Sequence, residues 1–236
     1  MIARVPTGID DLDLILGGGI PRSSNVLVKG PPGSFKTIFG LQMLYRNAVK
    51  NGTPGLYLSL NQPVGGVKEQ AEQFGWSFDK TPVQFVTVDT TTDVNVERTV
   101  FEAIKKIGKG IVVIDSLTSF LNRPPLTPSE YVADPLLEPI KRLPGLSFSD
   151  EALVRAMTAR FLRRLTVTSA TILFIYENRP DSSDGVCEYL SDGILKLSKI
   201  ESLGKRTLCV EKMRYTEHDL LPRNITLKEN GISFER

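Results

Sequence analysis

Short apolar runs rich in valine and isoleucine recur along the chain and alternate with longer segments of helical periodicity. The runs are too short for helices and too continuous for strands with one exposed face, which is typical of central strands in a parallel sheet. They occupy residues 25–30 (NVLVKG), 55–60 (GLYLSL), 83–89 (VQFVTVD), 110–117 (GIVVIDSL) and 171–177 (TILFIYE). This repeated order predicts an α/β fold with helices on both faces of a mainly parallel sheet.

The segments between the runs predict helices, and the end of the chain predicts a different arrangement. Apolar residues at helical spacing fall within 38–49, 67–74 and 100–107. Beyond residue 192 the chain changes to alternating segments separated by turn residues such as Asn230-Gly231. We therefore predict a terminal antiparallel meander after the parallel sheet.

Length and composition narrow the classes of protein. A chain of 236 residues fits one domain spanning residues 1–236. The hydrophobic content of 41% favours an ordinary globular protein, and the net charge of +2 gives no overall sign of nucleic-acid binding. Two cysteines do not make a disulfide framework, and one histidine cannot build a histidine-rich metal site. The first residues resemble neither a signal peptide nor a membrane span, so we expect a cytoplasmic protein without a membrane partner.

The segment GPPGSFKT at residues 30–37 follows the first predicted strand and opens the first predicted helix. A glycine-rich turn in that context aims backbone N–H groups at phosphate oxygens, and its lysine adds a positive charge. A Gly/Pro turn followed by a solvated lysine is the less favoured alternative. The predicted nucleotide-binding residues are Gly30, Pro31, Pro32, Gly33, Ser34, Phe35, Lys36 and Thr37.

Position 35 departs from the usual loop pattern G-x-x-x-x-G-K-[ST], because Phe35 stands where glycine is expected. Phe35 directly precedes the predicted helix, and an αR-like backbone at that point would accept a side chain. We therefore predict that its ring points away from the phosphates and that the loop still binds them.

A strand that ends in an acid accompanies the loop. Residues 111–115 (IVVID) end at Asp115, and this arrangement holds a Mg²⁺-bound water beside a phosphate loop. Taken alone, Asp115 is more readily explained as a cap of the next turn through Ser116. Paired with Lys36, it predicts that ATP binds with Mg²⁺ and that Thr37 and Asp115 are the metal-site residues.

Several segments together resemble the KaiC family of RecA-like ATPases, in the single-domain form common in archaea. They are RVPTGIDDLDLILGGGIPRSS (4–24), the loop at 30–37, IVVIDSLTS (111–119), EYLSDGILKL (188–197) and EKMRYTEH (211–218). Taken alone, the first of these predicts only a short helix ended by glycines. The resemblance covers nearly the whole chain except a proline-rich insert at 122–148, and it implies a RecA-like P-loop fold.

The resemblance also implies assembly and a role for two late basic residues. Domains of this family form homo-oligomers, typically hexameric rings and sometimes filaments, with ATP between neighbours. Lys212 and Arg214 would then reach the next subunit's phosphates, where a cation offsets charge on the γ-phosphoryl group. From spacing alone, the favoured interpretation is that both lie on the solvent face of an antiparallel strand, and the resemblance reverses that preference.

The main departure from the family lies after the second predicted strand. The family has two adjacent glutamates there that polarise the attacking water, and this chain has Asn61 and Gln62 at the same distance from Phe74-Gly75-Trp76. An amide orients a water but cannot take its proton. Slow hydrolysis is expected, and Glu177 is the candidate replacement base, although such a residue is more often a strand-end hydrogen-bond acceptor.

Two segments leave the partner of the protein open. Arg160, Arg163 and Arg164 suit either a DNA-binding patch or, as we favour, a solvated helix face. The insert, with six prolines within 122–145, excludes long regular structure and either docks an unknown protein partner or covers a ring. We expect an ATP-binding assembly module; the alternative is a competent ATPase of DNA recombination or repair, a paralogue of RecA and RadA.

Overall fold

The computed structural model describes residues 2–60, 62–90, 96–121, 150–177 and 183–235. Asn61 and the insert at 122–148 lie outside these residues. The strands are β1 (Arg4–Val5), β2 (Ile20–Pro21), β3 (Asn25–Gly30), β4 (Gly55–Leu60), β5 (Val83–Val88), β6 (Ile111–Asp115), β7 (Thr171–Glu177), β8 (Gly193–Ile200), β9 (Lys205–Met213), β10 (Arg223–Lys228) and β11 (Gly231–Phe234). The helices are α1 (Asp10–Ile15), α2 (Lys36–Asn51), α3 (Val64–Glu72), α4 (Val96–Ile107), α5 (Leu117–Leu121), α6 (Asp150–Leu165) and α7 (Ser183–Leu190).

Nine strands of the described residues form one sheet in the order β11-β10-β9-β8-β3-β7-β6-β4-β5. The pairs β3–β7, β7–β6, β6–β4 and β4–β5 are parallel. Strand β8 also pairs in parallel with β3 on its other side, and from β8 onward the pairing is antiparallel. The predicted α/β fold with a terminal antiparallel meander is therefore confirmed.

Successive residues of the parallel strands point to opposite faces of the sheet, and each face has its own apolar core. On β3, Val26 and Val28 join the core covered by α1, α2 and α3, whereas Leu27 joins the core covered by α4, α5 and α6. Helices therefore cover both faces, as the continuous apolar runs predict.

Two of the predicted strands differ from expectation. The run at 110–117 is a strand only over Ile111–Asp115, because α5 begins at Leu117. The run at 83–89 was expected to be central, and this is wrong, since β5 lies at the edge of the sheet and most of its side chains are only partly buried or exposed. Its apolar residues instead pack beside the aromatic side chains of the first core, as in the stacked pair Phe85 and Tyr57.

The start of the chain adds a small separate sheet in which β1 pairs antiparallel with β2. Helix α1 lies between these strands, as the glycine-ended segment predicts, and buries Leu12 in the first core. Within the described parts of the chain, no helix is both long and apolar enough to cross a membrane.

Candidate functional site

The predicted phosphate loop lies at the carboxyl edge of the parallel strands, where ligands bind in open α/β sheets. A cleft of about 650 Å³ opens at this edge. The loop after β3 forms one wall, and the ends of β4, β6 and β7 form the others. Predicted site residues that line the cleft are Pro32, Gly33, Phe35, Lys36, Thr37, Gln62, Asp115 and Glu177.

The loop backbone turns tightly where the sequence supplies glycine. A Cβ added to Gly30 would lie 2.2 Å from the carbonyl oxygen of Leu197, so only glycine fits there. Gly33 has φ +72°, a left-handed conformation that glycine adopts without strain. These two positions set the path of the loop through Pro31 and Pro32 toward α2.

Phe35 has a left-handed backbone, with φ 75° and ψ 16°, so the expected αR-like conformation is wrong. The physical reason is that the chain must reverse between the loop and α2, which is why glycine is usual at this position. The ring of Phe35 packs against the first apolar core. The guanidinium carbon of Arg206 lies over the ring, 4.2 Å from its centroid.

Lys36 begins α2, and its side chain folds back over the loop. Its Nζ donates hydrogen bonds to the carbonyl oxygens of Gly30 and Pro31, each at 2.8 Å. The residue is only 6% exposed. Burial lowers the pKa of Lys36, and the carboxylates of Glu177 and Asp115 oppose that shift. The ammonium group is therefore held at the loop rather than in solvent.

Asp115 and Thr37, the two predicted metal-site residues, contact each other. The Thr37 hydroxyl donates to Asp115 Oδ2 at 2.7 Å. Sequence reasoning missed a third member, because Tyr57 stands within an apolar strand and reads as core. Its hydroxyl donates to the same Asp115 oxygen. Burial and then the Asp115 charge raise the pKa of Tyr57 well above its ordinary value, so the phenol remains a donor at neutral pH.

The residues proposed to handle the attacking water lie at the ends of β4 and β7. The side chain of Glu177 is exposed at the cleft, and its backbone N–H donates to Thr118 Oγ1 at 2.8 Å. Gln62 lines the same cleft, and its backbone carbonyl oxygen accepts a hydrogen bond from Ser59 Oγ at 2.6 Å. Asn61 lies outside the described residues, so the pair of amides is described only through Gln62.

Lys212 and Arg214 are not near the loop of their own chain. They flank Met213, which pairs with Gly193, and Gly193 pairs with Val26 near the amino end of β3. The loop leaves the opposite end of β3, so the two sites are separated by roughly 13 Å of strand at about 3.3 Å per residue.

Backbone oxygens and one carboxylate hold these two cations at the end of α7. Lys212 Nζ donates to the carbonyl oxygens of Glu188 at 2.8 Å and Tyr189 at 3.2 Å. Arg214 Nη1 donates to Asp192 Oδ1 at 2.8 Å. Burial and then the neighbouring Arg214 lower the pKa of Lys212. The pair is thus presented as a fixed group away from the cleft.

Two cations that the sequence reasoning missed do lie beside the loop. Arg206 Nε donates to the carbonyl oxygen of Gly33 at 2.9 Å, and Arg206 also lines the cleft. Lys199, its partner across β8 and β9, places Nζ 4.0 Å from the position a Cβ on Gly33 would take. Finding them required knowing that β8 pairs with β3, which no local pattern reveals.

Two of the arginines of α6 have partners on α4. Arg160 forms an ion pair with Glu97 at 2.8 Å. Arg164 lies 3.7 Å from the other oxygen of Glu97 and 5.0 Å from the ring centroid of Phe101. Arg163 and Arg164 are exposed, which agrees with the favoured interpretation of a solvated helix face, whereas Arg160 is only partly exposed.

The groups around the loop suit a phosphate with Mg²⁺. Ser34 Oγ is buried and has no hydrogen-bond partner among the described residues, so a polar ligand atom would satisfy it. Thr37 and Asp115 offer oxygen atoms, which Mg²⁺ prefers as ligands. They would occupy few of its coordination positions and leave the others to water and phosphate oxygens. Lys36 supplies the positive charge.

The sheet order, the loop at the end of β3 and the acid at the end of β6 define a P-loop protein with a RecA-like fold. A model of the KaiC ATPase family matches residues 5–129 and 137–236. The chain therefore belongs to the KaiC ATPase family, and this membership supports nucleotide binding at the loop.

Comparisons with individual proteins agree. The chain is 32% identical over 257 residues to a UPF0273 protein of Thermotoga maritima, covering 98% of this chain and 96% of that protein. It is 26% identical over 251 residues to the circadian clock protein KaiC2 of Synechocystis, covering 98% of this chain and 40% of that protein. A crystal structure of a KaiC-like protein from Pyrococcus horikoshii superposes with a TM-score of 0.79 at 24% identity, covering 100% of both chains.

Proposed function

We propose that the chain binds ATP with Mg²⁺ at residues 30–37, assembles through bound ATP into a ring-like homo-oligomer, and hydrolyses ATP slowly or not at all. The observation that carries the proposal is the convergence of Lys36, Thr37 and Asp115 at the cleft, with the hydroxyl of Thr37 already 2.7 Å from the Asp115 carboxylate.

Each of these side chains has a defined part in binding. The ammonium group of Lys36 leaves the loop carbonyls for the β- and γ-phosphates, and the loop N–H groups bind phosphate oxygens. Thr37 and Asp115 would hold Mg²⁺, directly and through water respectively. Bound Mg²⁺ offsets negative charge on the phosphates.

Assembly follows from the position of Lys212 and Arg214. Both are fixed at the amino end of β3, so they cannot serve the loop of their own chain without a large rearrangement. They would instead contact the γ-phosphate of the ATP bound at a neighbouring subunit's loop. Such a contact between subunits links nucleotide binding to association. A hexamer is the form that the family resemblance favours.

Slow turnover follows from the residues after β4. Gln62 lies at the cleft and carries an amide, and Asn61 carries another. A positioned general base contributes about 10²–10⁴-fold to a rate, and an amide does not supply that factor. The proposed role is thus a nucleotide-dependent assembly or regulatory module.

Calorimetry with Lys36→Ala tests the binding site. We expect ATP binding to fall below detection while the fold is retained, since Lys36 carries the charge that meets the phosphates. Lys50→Ala, an exposed lysine at the other end of α2, is the matched control and should bind as the original chain does. Unchanged affinity in Lys36→Ala would refute the phosphate-loop interpretation.

Sedimentation with Arg214→Ala tests assembly. ATP should raise the oligomer population of the original chain, and the variant should lose that response without unfolding. Lys106→Ala, an exposed lysine of α4, controls for the loss of one positive charge. Identical sedimentation of the Arg214 variant and the original chain with ATP would reject the trans role.

A competent ATPase is the second candidate, and Glu177 favours it. This carboxylate lines the cleft at the end of β7, where a general base would replace the missing glutamates. Steady-state ATP turnover with and without single-stranded DNA distinguishes the two functions. Ordinary turnover that DNA accelerates would support a recombination or repair ATPase and exclude the assembly module.

A further inference from the structure

Tyr57 is a buried strand residue directly beneath the proposed metal site. It lies in the middle of β4, beside β6, and is 1% exposed. Its hydroxyl donates to Asp115 Oδ2 at 2.5 Å. The Thr37 hydroxyl donates to that same oxygen at 2.7 Å. Within the described part of the chain, both hydrogen bonds to this carboxylate therefore fall on Oδ2 and leave Oδ1 available.

The two donors differ in how firmly they are held. The phenol ring of Tyr57 belongs to the first apolar core and stacks on Phe85, with ring centroids 5.5 Å apart and an interplanar angle of 24°. Close packing of this kind allows a ring few alternative positions. Thr37, in contrast, lines the cleft, and its hydroxyl oxygen is the atom expected to bind Mg²⁺.

We propose that Tyr57 is a positioning residue for the Mg²⁺-nucleotide site. Its hydroxyl fixes the carboxylate of Asp115, so that Oδ1 stays available to a metal-bound water when the Thr37 hydroxyl turns to the metal. The inference rests on the proposed function, because it assumes that nucleotide and Mg²⁺ bind at this loop. Partners that orient a metal-site carboxylate typically contribute 10–100-fold to metal affinity.

A purely structural role for Tyr57 makes a different prediction. If Asp115 only satisfies the buried phenol, removal of the hydroxyl lowers stability but changes nucleotide binding equally with and without Mg²⁺. If Tyr57 orients Asp115, the loss appears only when Mg²⁺ is present. The Mg²⁺ dependence of binding therefore separates the two roles.

The experiment is calorimetric titration of ADP and of a non-hydrolysable ATP analogue into the full chain, in Mg²⁺ and in EDTA. Tyr57→Phe removes one atom and leaves Asp115 with Thr37 as a donor, so the variant is expected to fold, as thermal unfolding will confirm. We expect its nucleotide affinity to fall about tenfold or more in Mg²⁺ and less than about twofold in EDTA. Tyr45→Phe is the matched control, since Tyr45 packs beside the same core and stacks on Trp76 away from Asp115.

A double-mutant cycle with Asp115→Ala completes the test. In that background Tyr57→Phe should no longer alter the Mg²⁺ dependence, because its proposed target is gone. An unchanged Mg²⁺ response in Tyr57→Phe, or equal losses in Mg²⁺ and EDTA, would overturn the inference while leaving the proposed function intact. Failure of the original chain to bind nucleotide in either buffer would overturn both.

Discussion

The left-handed backbone of Phe35 leads to an unusual prediction about two substitutions. A residue with a Cβ in this conformation is destabilised by roughly 1–2 kcal/mol relative to the right-handed region. Phe35→Gly removes that strain, whereas Phe35→Ala retains it. Glycine is normally the less stable of the two, by roughly 0.5–1 kcal/mol, because it loses more chain entropy on folding. At position 35 we expect the order to be reversed.

Both variants lose the ring, and the stability that it contributes sets the overall size of the destabilisation. A fully buried phenylalanine contributes about 1.5–3 kcal/mol, and the partly buried ring of Phe35 about half of that. The Arg206 guanidinium 4.2 Å from the ring centroid adds about 0.5–1 kcal/mol. Losing the ring therefore costs roughly 2 kcal/mol, so Phe35→Ala should be destabilised by about 2 kcal/mol and Phe35→Gly by about 1 kcal/mol.

Urea unfolding of the nucleotide-free chain at neutral pH measures these differences. Val49, exposed in α2, is the control position, and there alanine should be more stable than glycine by about 1 kcal/mol. An alanine variant at position 35 at least as stable as the glycine variant would refute the left-handed assignment. Since the ring packs against the core, Phe35→Gly should change ATP affinity little; a large gain would show that the ring obstructs the phosphates.

Two further predictions concern turnover and pH. Asn61→Glu combined with Gln62→Glu should raise turnover at saturating ATP by about 10²-fold; if the original chain already turns over at an ordinary rate and the double variant is no faster, the base is elsewhere. Lys29 forms ion pairs with Glu188 at 2.5 Å and Glu211 at 2.6 Å. Lys29→Met should lower the free energy of unfolding by about 2 kcal/mol at neutral pH. The loss is smaller than for a fully buried pair because both carboxylates are partly exposed. Burial alone would raise the pKa of Glu211, but hydrogen bonds from Lys29 and Lys196 hold it below its ordinary value. That stabilisation is present above the unfolded-state pKa of about 4.3 and is lost as pH falls through the lower folded-state pKa. Urea unfolding across pH should show the difference between the two chains narrowing in acid, and a constant difference would contradict the ion-pair explanation.

The sequence predicted the elements of the site better than their surroundings. The loop at 30–37 and Asp115 each carry a local signal, a turn before a helix and an acid after an apolar strand, and parallel strands bring such ends to one edge. Tyr57 and Arg206 carry no such signal. By its sequence pattern, Tyr57 is only one more residue of an apolar strand. The position of Arg206 beside the loop depends on β8 lying next to β3, and packing across the whole sheet decides that order.

The same limit applies to backbone conformation and strand position. An αR-like Phe35 was a reasonable expectation, because most residues before a helix avoid positive φ. The path of the chain from the loop into α2 decides otherwise. Likewise the composition of β5 resembles that of a buried strand, and its place at the edge follows from the order of the sheet rather than from its own residues.

The positions of the two cation groups also constrain how copies of the chain can associate. Lys36 lies at the carboxyl end of β3, and Lys212 and Arg214 lie at its amino end. If the second group serves a neighbour's loop, the contact joins two different surfaces, one from each subunit. In a two-fold dimer each subunit would give its cation group to the other's loop and both sites would be complete, whereas a contact that is not reciprocal repeats until it closes into a ring or extends as a filament. Loss of the ATP response in Arg214→Ala would therefore imply that the cation group acts in trans, and the sedimentation coefficient of the original chain with ATP would distinguish a reciprocal dimer from a ring or filament.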